Sequence, residues 1–193
     1  DHRDLHSFPT RRSSDLGGQS RRFGEDKTLF PYEGRPMIEH VIRTLQELFA
    51  EVTIVGNGTE KYAGFGLPCH EDLIKGLGPL GGIHTALTLC RTPLAFICAA
   101  DMPRLNPDLI RYLAARAPEY DAVVPCPGGR FEALHAVYSR NCLIPAEKQI
   151  ALGRRQIISF FGDIKLRRVI DVELEPFGDP GEIFRNINTQ ADL

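Results

Sequence analysis

The sequence predicts an α/β protein built on a doubly wound, mostly parallel sheet, and three observations carry that expectation. Short β-branched or apolar runs alternate with segments of helical period along the middle of the chain. The run PLAFICAA at 93–100 is apolar almost throughout, as suits a strand covered on both faces. Polar and glycine-rich segments gather where strands end, at 17–27, 56–58 and 101–103, with 72–82 just before a helix. In open α/β sheets a ligand lies beyond the carboxyl ends of the strands, so these segments mark where a site is expected.

The elements follow in order. GGQSRRFGEDK at 17–27 is a loop by composition. Its glycines allow backbone N–H groups close to an anion, and Arg21, Arg22 and Lys27 can carry charge to phosphate oxygens. It fits neither G-x-x-x-x-G-K-[ST] nor G-x-G-x-x-G, and by composition alone a solvated basic turn is the plainer reading. PMIEHVIRTLQELF at 36–49 opens on a proline and sets Ile38, Val41, Ile42, Leu45 and Leu48 on one stripe, which predicts a helix. EVTIV at 51–55 predicts a short strand ending in Gly56-Asn57-Gly58, where Asn57 suits a tight turn. Asp72 precedes the glycines 78, 81 and 82 and a helix at 80–90.

The strand at 93–100 runs into Asp101-Met102-Pro103. A carboxylate at a strand's carboxyl end is costly to bury unpaired and is well placed to hold Mg²⁺. Its other role, capping the next helix at 107–117, is better filled by Asn106. DAVVP at 121–125 and ALHAVYS at 133–139 predict strands around the turn Pro127-Gly128-Gly129, followed by a long helical stretch across 141–161. KLRRVIDV at 165–172 is a weaker strand, and IFRNIN at 183–188 is expected to be the last. His135 and Cys98 read as packing residues.

With 193 residues the chain is most simply one domain. A net charge of −2 gives no sign of a nucleic-acid surface. Five scattered cysteines without a C-x-x-C pair argue against a disulfide framework or zinc site and suit a reducing cytoplasm. No apolar run approaches the roughly 20 residues that cross a bilayer.

The loop GGQSRRFGEDK is similar to the opening signature L-A-G-G-x-S-x-R-M-G-x-D-K of the molybdenum cofactor guanylyltransferases. Gly78-Pro79-Leu80-x-Gly82, Asp101-Met102-Pro103, LHAVYS and FRNINTQADL resemble later segments of that family, in order, from Gly17 to the last residue. The resemblance implies a Rossmann-like nucleotidyltransferase with Mg²⁺ as cofactor and GTP and molybdenum-molybdopterin as substrates. It implies catalytic roles for Arg22, Lys27 and Asp101, with Asp101 on the metal. Binding of the nucleotide and the pterin is implied for Leu16, Gly17, Gly18, Lys27, Asn57, Asp72, Asp101, Asn186 and Asn188. For Asp72, a surface charge beside Glu71 is an equally good reading. Arg130, Glu132 and His135 flank the pterin half, where Ala133 and Gln190 replace the family's prolines. Molybdoenzymes or cofactor-delivery proteins are the implied protein partners. Two alternatives remain: cytidylyl or sugar-nucleotide transfer on the same fold, and a non-catalytic molybdenum cofactor carrier.

Members of that family enter the loop from an apolar strand, whereas SFPTRRSSDL at 7–16 resembles the translation of a sequencing adapter. Residues 1–16 are therefore expected to be a non-native segment and 17–193 the single domain, with the first, central strand missing or replaced. The other reading is a native basic arm. A chain without that strand would lose folding or activity. Thr189-Gln190-Ala191-Asp192 resembles a capping box opening a further helix.

Overall fold

The computed structural model describes the backbone of residues 6–10 and all of residues 26–187. Strand β1 (His6–Thr10) comes first. A hairpin of β2 (Pro31–Tyr32) and β3 (Arg35–Pro36) follows, turned by Glu33 and Gly34. Both turn residues have positive φ, 46° and 81°, the geometry a two-residue hairpin loop needs to match strand twist. Helix α1 (Met37–Leu48) buries Ile38, Val41, Ile42 and Leu45, four of the five stripe residues, with Leu48 half-buried.

The predicted strand at 51–55 divides into β4 (Glu51–Val52) and β5 (Ile54–Val55), and β6 (Cys69–His70) follows. Helix α2 (Pro79–Leu89) starts on Pro79 and buries every residue from Leu80 to Leu87, so it is covered on all sides. Strand β7 (Leu94–Ala99) is fully buried from Ala95 onward, as its unbroken apolar run requires. In α3 (Pro107–Arg116), Asn106 Oδ1 accepts from the N–H groups of Asp108 and Leu109, the expected cap.

Strands β8 (Ala122–Pro125) and β9 (His135–Ser139) follow, then α4 (Leu143–Ala151). The long helix expected across 141–161 stops near Gly153, whose φ of 74° leaves the helical region, and resumes only as 3₁₀ turns at Ile157–Asp163. Strand β10 (Leu166–Val169) is shorter than expected because Asp171 opens α5 (Asp171–Leu174). The strand expected at 183–188 is not formed among the described residues. Asp179 and Pro180 instead start α6 (Pro180–Ile183), with Asp179 Oδ1 accepting from Gly181 N–H, and the chain to Ile187 makes no ladder.

Apart from the β2–β3 hairpin, the strands form one sheet in the order β10-β8-β9-β7-β1-β5-β6, with β4 also on β1, and within it the pairing directions are nearly uniform. Only β9 runs antiparallel to its neighbours; the other pairings are parallel. The sequence expectation of a doubly wound, mostly parallel sheet therefore holds. The central place between β7 and β5, where a strand was expected to be missing or replaced, is filled by His6–Thr10. The capping box at 189–192 lies outside the described residues.

Candidate active site

Register fixes where the functional residues meet. Ala99 of β7 pairs with Thr10 of β1, Thr10 with Val55 of β5, and Val55 with His70 of β6. These four residues form one row across the carboxyl ends of parallel strands. Two residues past that row stand Asp101, Asn57 and Asp72. Parallel strands lie about 4.8 Å apart, so Asn57 is about 10 Å and Asp72 about 14 Å along the edge from the level of Asp101. The side chains singled out in sequence thus share one rim of the sheet.

At one end of the rim, Lys27 Nζ lies 2.6 Å from Asp101 Oδ2. Asp101 is 2% exposed and Lys27 30%. Burial of this carboxylate is offset by the ammonium beside it. Lys27 sits in a 3₁₀ turn (Lys27–Leu29) capped by Asp26, whose Oδ1 accepts from Thr28 N–H at 3.2 Å. The second oxygen of Asp26 accepts from the Tyr62 hydroxyl at 2.7 Å and meets Lys61 Nζ at 2.5 Å. Thr28 Oγ1 also meets Tyr62 Oη at 2.9 Å, inside the core. Asp26, Lys61 and Tyr62 therefore hold the turn that presents Lys27, and sequence reasoning assigned none of them a role. The motif's aspartate next to Lys27 was the available signal.

At the other end, Asn57 Nδ2 donates to Asp72 Oδ2 at 3.3 Å, which joins two residues fifteen apart in sequence. Asn57 itself is exposed between Gly56 and Gly58. Asp72 is only 8% exposed, so the surface-charge reading of this residue fails. Burial pushes its carboxyl above the ordinary aspartate value, against the hydrogen bond from Asn57, with nearby Glu71 adding to the rise. Its Oδ1 is buried with no hydrogen-bond partner among the described residues. Such an oxygen calls for a donor.

The last described residues return to the same rim. Ile187 N–H donates to the carbonyl of Asp101 at 3.1 Å, which brings Asn186 beside the carboxylate's own backbone. Tyr32, Met37 and Ile187 pack together, and Arg104 Nε donates to Tyr32 Oη at 2.7 Å while its guanidinium pairs with Glu182. Arg104, three residues past Asp101, thus ties the β2–β3 hairpin to α6.

His135 behaves as expected of a packing residue. It is fully buried, edge-on to Phe96 and Phe184 at 5.2 and 5.1 Å, and neither ring nitrogen has a hydrogen-bond partner among the described residues. Burial pulls its pKa down to about 3, so it is a neutral ring and an unsuitable acid. Cys98 is buried and its thiol is pushed up, chiefly by burial, which fits packing rather than chemistry. Arg130 is exposed and Glu132 half-buried, at the approach to β9. Leu16, Gly17, Gly18, Arg22 and Asn188 lie outside the described residues.

A groove of about 1020 Å³, lined among others by Arg91, Leu94, Tyr120, Asp121, Asn141 and Lys165, opens at the amino end of β7, away from this rim. Asp121 there is committed to structure, accepting from Asn141 Nδ2 and from Lys165 N–H.

Residues 16–169 match the family described as the MobA-like NTP transferase domain. A protein from Pelotomaculum thermopropionicum named probable molybdenum cofactor guanylyltransferase is 37% identical over 177 residues, covering 92% of this chain and 86% of its own. A protein from Desulfosudis oleivorans named molybdenum cofactor guanylyltransferase is 34% identical, over 92% and 89%. Among solved structures, molybdopterin-guanine dinucleotide biosynthesis protein A from Archaeoglobus fulgidus superposes with a TM-score of 0.78 at 25% identity, over 97% of this chain and 94% of that one.

Proposed function

The chain belongs to the MobA-like NTP transferase family, and on that premise we propose that it transfers GMP from GTP to molybdenum-molybdopterin. The observation that carries this reading is the contact between Lys27 and Asp101 at the carboxyl rim of the sheet. Parallel α/β sheets bind nucleotides at that rim, and a fixed cation next to a carboxylate is suited to a triphosphate.

In the proposed reaction a terminal phosphate oxygen of the pterin substrate attacks the α-phosphorus of GTP. The new P–O bond forms as the bond to the β-phosphate oxygen breaks, and pyrophosphate leaves with the electron pair. The attacking group is already an anion, so no general base is needed. This suits a described site in which the buried histidine is neutral and Cys98 is packed in the core. The work left to the protein is in-line placement and neutralisation of the leaving group. Lys27 does the second, and Arg22 is assigned to the same triphosphate.

Mg²⁺ suits Asp101. It is commonly held by one or two carboxylates together with phosphate oxygens and water, and no group of three metal-ligating side chains gathers among the described residues. When bound, the ion would supply charge neutralisation across the triphosphate. Asp72 Oδ1, an acceptor without a hydrogen-bond partner among the described residues at the far end of the rim, is the group we assign to the guanine N–H edge. Gly17, Gly18 and Leu16 are assigned to the nucleotide, and Asn186 and Asn188 to the rest of the cleft.

Lys27→Ala and Asp101→Asn are each expected to lower GTP-dependent pyrophosphate release in the presence of molybdenum-molybdopterin by at least about 100-fold. Either variant retaining near-normal turnover would remove these residues from the mechanism. CTP competing equally with GTP in the same assay would favour the cytidylyl reading.

A further inference from the structure

The carboxylate of Asp72 is only as selective as its aim, and the turn that carries it has little core of its own. Leu73 is 55% exposed and Ile74 37%. The ion pair of Lys75 with Glu71 is on the surface, where such pairs contribute little. What holds the turn is one face of α2. Leu73 N–H donates to Thr85 Oγ1 at 2.9 Å, and Thr85 is fully buried. One helical turn earlier, Gly81 lies so close beneath the same segment that an added Cβ would come 3.1 Å from the Ile74 carbonyl and 3.2 Å from Leu77 Cβ. It would also stand 3.7 Å from Asp72 Cγ. Positions 81 and 85 are four apart and so face the same way. One is a gap the turn settles into, and the other is a peg bonded to the residue after Asp72.

We infer that Thr85 is a positioning residue, seated over the gap at Gly81, which aims Asp72 Oδ1 at the Watson–Crick edge of guanine and so sets base selectivity. The inference rests on the guanylyl-transfer reading above. Thr85 touches no substrate. Its hydroxyl accepts the Leu73 N–H and thereby fixes the peptide that follows the carboxylate. The expected signature is therefore specific. Loss of the hydroxyl weakens recognition of the base and leaves the chemistry at Lys27 and Asp101, some 14 Å away along the rim, unaltered.

The test compares wild type, Thr85→Val, Thr85→Ser and Gly81→Ala, with GTP and inosine triphosphate, which lacks the 2-amino group. Thr85→Val keeps the shape and loses the acceptor. It is expected to raise KM for GTP about tenfold, leave kcat within about twofold, and narrow the preference for GTP over inosine triphosphate. Thr85→Ser keeps the hydroxyl and is expected to restore both KM and preference. A Thr85→Val enzyme with wild-type KM and preference would overturn the inference, as would Thr85→Ser failing as badly as Thr85→Val, which would mark a packing role. Should Thr85→Val not fold, Gly81→Ala decides: a raised KM for GTP with kcat kept supports the inference, and an unchanged KM rejects it. Wild-type protein that shows no GTP-dependent transfer would instead reject the parent reading, a different result from any of these.

Discussion

At the scale of single residues, a common site for Lys27 and Asp101 was legible through the family resemblance of their motifs. Composition alone read the loop as a solvated turn and gave no ion pair between them. Lys27 ends a glycine-arginine loop and Asp101 ends an apolar strand. What holds Lys27 was not legible. Tyr62 reaches Asp26 across 36 residues, and no local period encodes a contact of that range. His135 shows how residue type alone leaves chemistry open until burial is known. Its folded-state pKa of about 3 lies below the ordinary value of 6.5. Between those values the unfolded chain takes up a proton that the folded chain refuses, so stability falls as pH drops from 6.5 toward 3. The loss between pH 7 and pH 5 from this group is expected to be about 2 kcal/mol. Denaturant titrations at the two pH values check it. His135→Leu should shrink the difference, and an equally large loss in that variant would assign the acid sensitivity to other groups.

At the scale of elements, helices with an apolar stripe and a clear start were read almost to the residue. Helix α1 shows this, as does α3 with its Asn106 cap. The branched and aromatic residues at 183–187 carry strand preference, yet no strand forms there among the described residues. The Asp179-Pro180 start four residues earlier proved stronger, and hydrogen bonds at a helix N-terminus outweighed side-chain preference. Strand β10 shortened for a similar reason when Asp171 opened a helix. The cap on α3 can be weighed directly. Asn106→Ala removes the acceptor for two N–H groups and the Nδ2 donation to the Phe177 carbonyl, and is expected to cost about 1–2 kcal/mol. That is a fall in Tm of about 2–8 °C for a chain of this size. A melt showing Asn106→Ala as stable as wild type would mean the α3 terminus is held by other contacts.

At the scale of the whole molecule, the alternation of strand and helix predicted the sheet, while the antiparallel insertion of β9 between β7 and β8 was not visible. Pairing direction depends on the path of the connection, and the Pro-Gly-Gly turn at 127–129 gave only its place. The central strand is the weak member. Pro9 pairs with Cys98 in the middle of the sheet and has no N–H to give either neighbour, which is unusual for an interior strand. The resemblance puts an apolar strand in this place, where the chain has His6–Thr10. On that view Pro9→Val is expected to raise Tm by about 2–4 °C, the worth of roughly one ladder hydrogen bond. A melting point that stays level or drops would argue that His6–Thr10 is suited to its place. The row of Ala99, Thr10, Val55 and His70 carries a last consequence. Because the distance from Asp101 to Asp72 counts off strands, it works as a ruler graduated by the backbone. Substitutions along the rim can alter what is gripped at each mark, but the length being measured belongs to the sheet.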